Sequence, residues 1–370
     1  MSETPSDTDA QREALAAAFG QETDPLAEYA GTFERMDIDP FEIFIDEVIR
    51  TRDIADNTLA HYEAMFRHWE QHMDRMGRHP ACPNESHVKQ FARYELEEKD
   101  NHPDTVKEKL RKLASVYEYW QADPTFPHPE DYNPVELARS KTNFEAPKEK
   151  EVRRIPREEL REVIQGVTHV RDRAIIVLQL KLGLRASELA NIRLSEIALG
   201  NSEANDHYTE LGTHRMLEGR QNVVYIPCDR EGNKSRRPRV LPLDDETRRV
   251  LLRYLLIRPD TGAANLFLSK DHNEPMGKKA VNRVWKQAFH PEYAETEQYR
   301  SVTSHYGRHY FTTFWTVEEE ANRELVKYMR GDTTSRKADD GPPGAIETYI
   351  HTYFEDIEDL YRENIFKLRV

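Results

Sequence analysis

The sequence predicts a mainly α-helical chain with one small antiparallel β-sheet, divided into two domains. Three observations carry this expectation. Apolar residues recur at helical spacing through residues 40 to 140. Two short strand-like runs, Val223-Val224-Tyr225-Ile226 and Arg239-Val240-Leu241-Pro242-Leu243, flank a turn around Gly232-Asn233 and read as a hairpin. A polar, Pro-containing stretch at 141–154 separates two segments, and 370 residues give each ample material for a core.

Residues 1–39 are polar and acidic (Glu3, Asp7, Asp9, Glu13, Glu22, Asp24, Glu28) and are expected to form a mobile tail with one short helix over 11–19. Residues 40–140 form the first domain. Pro40 suits a helix start ahead of Phe41, Phe44, Ile45, Val48 and Ile49. Three further stripes follow: Thr58 to Trp69, Val88 to Leu96, and Val106 to Trp120, the last capped by Asp104 or Thr105. These apolar positions read as core. The linker, 141–154, is locally basic at Lys148, Lys150, Arg153 and Arg154. It is either a solvated hinge or a tether crossing a phosphate backbone.

The second domain, 155–370, opens with a helix. An apolar helix over 172–182 ends at Gly183, and another starts at Ala186. The hairpin follows, with 200–220 a loop or an elaboration of the sheet, then a helix over 244–256 and several more. Tyr353, Phe354, Ile357, Leu360 and Tyr361 read as the packed face of a C-terminal helix.

Composition bounds the function. Charged residues make up 32%, mean hydropathy is -0.84, and no apolar run approaches the length that spans a bilayer. The start lacks the basic and apolar regions of a secretory signal, so a cytoplasmic protein with no membrane partner is expected. Cys82 and Cys228 are far apart and read as plain thiols, not as a disulfide or zinc framework. Net charge is -14, unusual for a nucleic-acid binder, yet Arg outnumbers Lys by 36 to 17. Surplus carboxylates with few lysines fit a halophilic source, where acidic surfaces keep a protein soluble.

Four patches carry chemistry: Gly183-Leu184-Arg185-Ala186-Ser187-Glu188-Leu189, Gly232-Asn233-Lys234, His305-Tyr306-Gly307-Arg308-His309 and Tyr349-Ile350-His351. Together they make a metal-free kit for attacking a phosphodiester. Arginine clamps phosphate oxygens through a planar fork of donors. Lysine or histidine moves protons, and tyrosine can be a nucleophile that leaves a covalent intermediate. Arg185 also suits a local ion pair with Glu188. His305 and His309, at i and i+4, share a helix face; with no adjacent Glu and no third ligand, no metal is expected.

In this order and spacing the patches resemble the tyrosine recombinase, or phage integrase, family, in particular its Xer-like members. The resemblance covers roughly residues 40 to 370. It implies a two-domain DNA clamp: a small helical core-binding domain followed by a catalytic domain. It further implies double-stranded DNA as partner, a homo-tetramer on two duplexes, no cofactor, and cleavage through a 3′-phosphotyrosyl link. Arg185 and Arg308 are then the phosphate clamps, with Glu188 orienting Arg185. Lys234 becomes the general acid at the leaving 5′-oxygen, with Arg230 and Arg236 as further basic positions of its turn. His305 becomes the base toward the nucleophile Tyr349, which is favoured over Tyr353 and Tyr361 by its Y-x-H context with His351; His309 is structural. The helix around 355–366 would pack on a neighbouring subunit, or else within its own chain.

One position departs from the pattern. Relatives carry a histidine or tryptophan where this chain has Asp332, and a carboxylate cannot donate to phosphate unless protonated. It would instead bind a neighbouring base or cation, with Arg336 or Lys337 supplying the donor. Three alternatives stay open at this point: a type IB topoisomerase-like enzyme, a catalytically silent DNA-binding regulator of the same fold, and a metal-dependent nuclease.

Overall fold

The computed structural model describes residues 7–52, 56–142, 149–332 and 353–370. The chain forms two compact units, Met1–Glu149 and Lys150–Val370, which divide inside the stretch read as a linker.

The first unit is helical: α1 (Asp7–Ala18), α2 (Ala30–Phe33), α3 (Pro40–Phe44), α4 (Asp56–Arg75), α5 (Glu85–Glu97), α6 (Pro103–Ala122) and α7 (Pro134–Lys141). The helix starts are chemically specified. Asp39 accepts from Phe41 N at 2.8 Å with Pro40 in the first turn. Asn84 and His87 form a reciprocal capping box. The cap of α6 is His102, whose ring accepts from Asp104 N, rather than the expected Asp104 or Thr105. The core is aromatic. Trp120 meets Phe41 and Tyr117 edge-on, each at 4.9 Å between centroids. Trp69 Nε1 and Tyr117 Oη both donate to the Pro80 carbonyl. The first helix begins earlier than expected and is tied to α5 by Arg12–Glu85 at 2.8 Å, so this part of the tail has a docked place.

The second unit contains α8 (Arg157–Gly166), α9 (Val170–Leu182), α10 (Ala186–Ala190), α11 (Ser202–His207), α12 (Asp245–Leu255), α13 (Lys278–Phe289), α14 (Ser304–Thr313), α15 (Arg323–Arg330) and α16 (Phe354–Asn364). Its sheet comprises β1 (Ile197–Ala198), β2 (Val223–Ile226) and β3 (Arg239–Pro242), antiparallel in that order, with Val224 opposite both Ile197 and Leu241. The hairpin is as expected; the 200–220 stretch adds α11 and a 3₁₀ turn, Arg215–Leu217. Helix α9 is buried nearly all round, as its apolar sequence requires. It ends at Gly183 in the left-handed conformation (φ 63°), where a Cβ would lie 2.5 Å from the Phe311 ring. Gly307 lets α14 press against Gln179 of α9, and Trp285 Nε1 donates to the Gln179 side chain.

The C-terminal helix packs within its own chain. Ile357, Tyr361, Ile365, Phe366 and Leu368 join the core, and Tyr361 Oη donates to the Lys181 carbonyl at 2.8 Å. Tyr353 does not share that face: it precedes the helix as its N-cap residue and is 60% exposed, while Phe354 is buried.

Candidate active site

The turn after α9 aims Arg185. Gly183 closes the helix, the chain runs extended at Arg185 (φ -71°, ψ 155°), and the short helix α10 begins. Glu188 then does two things. Its carboxylate accepts from the Arg185 backbone N–H at 2.9 Å and from Arg185 Nη1 at 3.1 Å. Burial would raise this carboxyl, but Arg239 and the Arg185 contacts outweigh it and hold it below the ordinary carboxylate value. Glu188 thus stays charged and fixes one edge of the Arg185 fork.

Arg308 reaches the same place from α14. Its Nη1 donates to the carbonyls of Gly183 and Arg330, both at 2.9 Å, and its side chain is 3% exposed. Burial first, then Arg185 alongside, pushes its guanidinium down to about 9, with Asp332 opposing. Nη2 of Arg308 lies 2.7 Å from Asp332 Oδ1, and Nη2 of Arg185 lies 3.1 Å from the same oxygen. Arg330 brings its Nε within 2.9 Å of the other oxygen. Three guanidinia therefore converge on one carboxylate, which has the charge sign and donor demand of a phosphate.

Two supporting arginines escaped the sequence reading. Arg239, at the start of β3, is fully buried; it donates to Glu188 Oε2 at 3.0 Å and to the Met329 carbonyl at 2.8 Å. Arg330 closes α15. Gly331, left-handed at φ 68°, ends α15 and leaves room for Arg239: a Cβ there would lie 2.2 Å from Arg239 Nη1. The only sequence signal was the Arg-Gly pair at a helix end.

His305 and His309 sit beside Arg308 on α14, with their rings 4.6 Å apart and edge-on. Desolvation first, then His309, Arg308, Arg185 and Arg330, lowers the His305 imidazole below its ordinary value. Desolvation, Arg330, Arg300 and Arg308 do the same for His309. His305 is thus neutral near pH 7 and able to accept a proton.

Lys234 is exposed in the β2–β3 turn. That turn is held in place: Asn191 Nδ2 donates to the Glu231 carbonyl at 2.9 Å and to Asn233 Oδ1 at 3.0 Å. Arg230 is committed to this anchoring, pairing with the buried Glu196 and the Asn191 carbonyl. Arg236 is exposed, and its backbone N–H donates to the Gly331 carbonyl at 3.1 Å. Of the linker residues, Lys150 pairs with Glu295 at 2.5 Å, Arg153 stacks over Tyr299 at 4.8 Å, and Arg154 is exposed. Lys148, Tyr349, His351, Arg336 and Lys337 lie outside the described residues.

One further basic surface went unread. Helix α13 carries Lys278, Lys279, Arg283 and Lys286 on its exposed side and no acidic residue, in a chain of net charge -14. Among the described residues, no group of three His, Cys, Asp or Glu side chains is placed to hold a metal ion, and no helix is long and apolar enough to cross a membrane.

The chain belongs to the phage integrase family, whose profile matches residues 149–336. Among solved structures, it is similar to the Tn1549 transposon integrase in complex with transposon right-end DNA: 20% identity over 87% of this chain and 98% of that one, TM-score 0.56. It is also similar to a lambda integrase dimer bound to a COC′ core site, at 14% identity over 84% and 98% of the two chains, TM-score 0.57. A lambda integrase tetramer bound to a Holliday junction matches at 14% identity over 90% of each chain, TM-score 0.57. These likenesses establish the mainly helical fold with its small sheet. No curated protein sequence matches the chain.

Proposed function

We propose that this protein is a site-specific DNA recombinase that cuts and rejoins DNA through a 3′-phosphotyrosyl intermediate without a metal. The observation that carries the reading is the convergence of Arg185, Arg308 and Arg330 on one anion, beside a neutral His305. In the reaction, Arg185 and Arg308 hold the non-bridging oxygens and stabilise the charge of the pentavalent transition state. Tyr349 attacks the phosphorus, and its phenolic proton passes to His305. The bond to the 5′-oxygen breaks, and Lys234 protonates that oxygen as it leaves. The ester conserves the bond energy, so a 5′-hydroxyl from a partner strand reverses the step. Strand exchange then calls for a tetramer on two duplexes, as in the lambda integrase assembly on a Holliday junction.

The acid-free face of α13 supports a duplex as partner, since clustered Lys and Arg supply the phosphate-neutralising charge of DNA binders. A low Lys share also suits work in strong salt, where counterion release contributes little and bidentate arginine contacts count for more.

The test is covalent-adduct capture in the native host at its own salt. Cells are denatured, the protein is purified, and attached DNA is sequenced for wild type and Tyr349→Phe. Adducts at a discrete site that vanish in the variant support the reading. Absence of adducts in the wild type, on a nicked trapping substrate as well, would leave a DNA-binding regulator.

A further inference from the structure

We infer that the Asp332 carboxylate is the resident anion of the phosphate pocket, and that a DNA phosphate enters by exchanging with it rather than by adding beside it. This rests on the recombinase reading above and concerns how that site is filled before DNA arrives.

The argument begins with which donor ends are available. Arg185 spends Nη1 on Glu188, and Arg308 spends Nη1 on the Gly183 and Arg330 carbonyls. Of the terminal nitrogens of Arg185 and Arg308, the two Nη2 groups are the ones whose described partner is Asp332 alone. Both point at Asp332 Oδ1, at 3.1 and 2.7 Å. Oδ2 sits 2.9 Å from Arg330 Nε. A phosphate oxygen held by both Nη2 groups along the directions they now point would occupy the place of Oδ1. Were Asp332 to stay, a phosphodiester would bind next to a carboxylate, and like charges at that range oppose one another.

Asp332 is also placed to leave. Its side chain is 26% exposed where that of Arg308 is 3% exposed, so the carboxylate lies at the open side of the cluster. Its presence explains how buried and neighbouring guanidinia can stay together without DNA. An internal anion offsets their repulsion, as Glu188 does from beneath.

The experiment uses the full chain in chloride buffer at fixed ionic strength, with inorganic phosphate as the probe. Wild type, Asp332→Asn and Asp332→Ser are compared by calorimetric titration, with circular dichroism confirming the fold. Removing a charged competitor for two arginine forks should tighten phosphate binding about tenfold. The phosphate-free melting temperature of both variants should fall, and phosphate should restore it. Equal or weaker binding in a folded variant overturns the inference, because Asp332 would then be assisting the anion. Arg308→Lys on the Asp332→Asn background separates the two readings. If it leaves phosphate affinity unchanged, the anion is not in this pocket, and the recombinase reading of the cluster fails along with the exchange. Should Asp332→Asn not fold, the Asp332→Ser arm decides.

Discussion

The two units solve the core problem with different materials. Among the described residues, the first unit buries two carboxylates, Glu85 and Glu95, and otherwise fills its centre with aromatic and aliphatic side chains and neutral His. The second unit buries ten charged residues: Arg171, Asp172, Lys181, Glu188, Glu196, Arg239, Asp244, Glu246, Arg258 and Arg308. Five are cationic and five anionic. Buried ion pairs add little net stability, because desolvation consumes most of the attraction. Their abundance in one unit is therefore a matter of geometry. Glu188 links Arg185 to Arg239, and Arg308 caps two turns through their carbonyls. The second unit is built to hold guanidinia in fixed directions; the first buries only two charged side chains among its described residues.

The largest expected effect attacks this contrast directly. Lys181 is fully buried and lies 2.6 Å from both Asp244 and Glu246, which also receives the backbone N–H groups of Leu368 and Val370. Lys181→Met leaves two buried carboxylates short of their partner and should cost about 3–5 kcal/mol in chemical denaturation. Met65→Leu in the first unit keeps volume and polarity and should cost less than about 1.5 kcal/mol. Comparable losses for the two would dissolve the distinction.

Next in size is chemistry. Arg308→Lys keeps the charge but loses the fork that spans two carbonyls and the anion. Adduct formation should drop about 10²- to 10³-fold, with the melting curve of the first unit unchanged. A variant that retains wild-type adduct rates would remove Arg308 from the reacting centre.

How much of this was legible beforehand follows from where each signal sits. Arg185, Glu188 and Arg308 lie in compact patches whose neighbours announce a turn or a helix face, so their roles could be read locally. Arg239 looked like one residue of a strand; only the fold brings it onto Glu188, 51 residues away. Asp332 was legible as a departure, but a departure does not say what the new side chain touches, and Arg330 two residues before it carried no role in the sequence. Tyr353 was placed on the packed face with Tyr361, yet the helix begins at Phe354. One residue turns a helix by about 100°, which exchanges a buried position for an exposed one. The hairpin and the Gly183 stop were clear because strand pattern and left-handed glycine are local properties.

A smaller effect separates the units by pH. Burial holds the His128 imidazole down at about 4, and burial with Arg78 does the same for His87. His128 Nε2 lies 2.8 Å from the Ala81 carbonyl, and its Nδ1 is buried without a partner. The folded state thus prefers neutral rings. Above pH 6.5 both states are neutral and stability is full; as pH falls from 6.5 toward 4, the unfolded chain takes protons that the folded one refuses, and stability is lost. For His128 this is about 2 kcal/mol at pH 5. In the second unit, burial would raise Asp244, but Lys181 and Lys367 hold it at about 2, so its contribution persists until pH drops below the ordinary carboxylate range near 4. Hydrogen exchange at pH 7 and 5 should show the greater loss of protection in the first unit, and His128→Phe should lessen it.

The finest distinction lies within the Asn84–His87 capping box. The Asn84 side chain accepts from the His87 backbone N–H, while the Asn84 backbone N–H donates to His87 Nδ1, each at 3.1 Å. Asn84→Ala removes the first contact and should cost about 1 kcal/mol. It leaves the second intact, because that donor is main chain. Protonating His87 would put a donor against a donor, so the acid sensitivity of this corner belongs to the ring and not to the cap. Asn84→Ala should therefore shift the stability of the first unit by a constant amount between pH 7 and 5, whereas His87→Ala should shrink its pH dependence. A pH-dependent penalty for Asn84→Ala would mean that the cap and the ring titrate as one device, and the first unit would then carry a coupled polar network of its own.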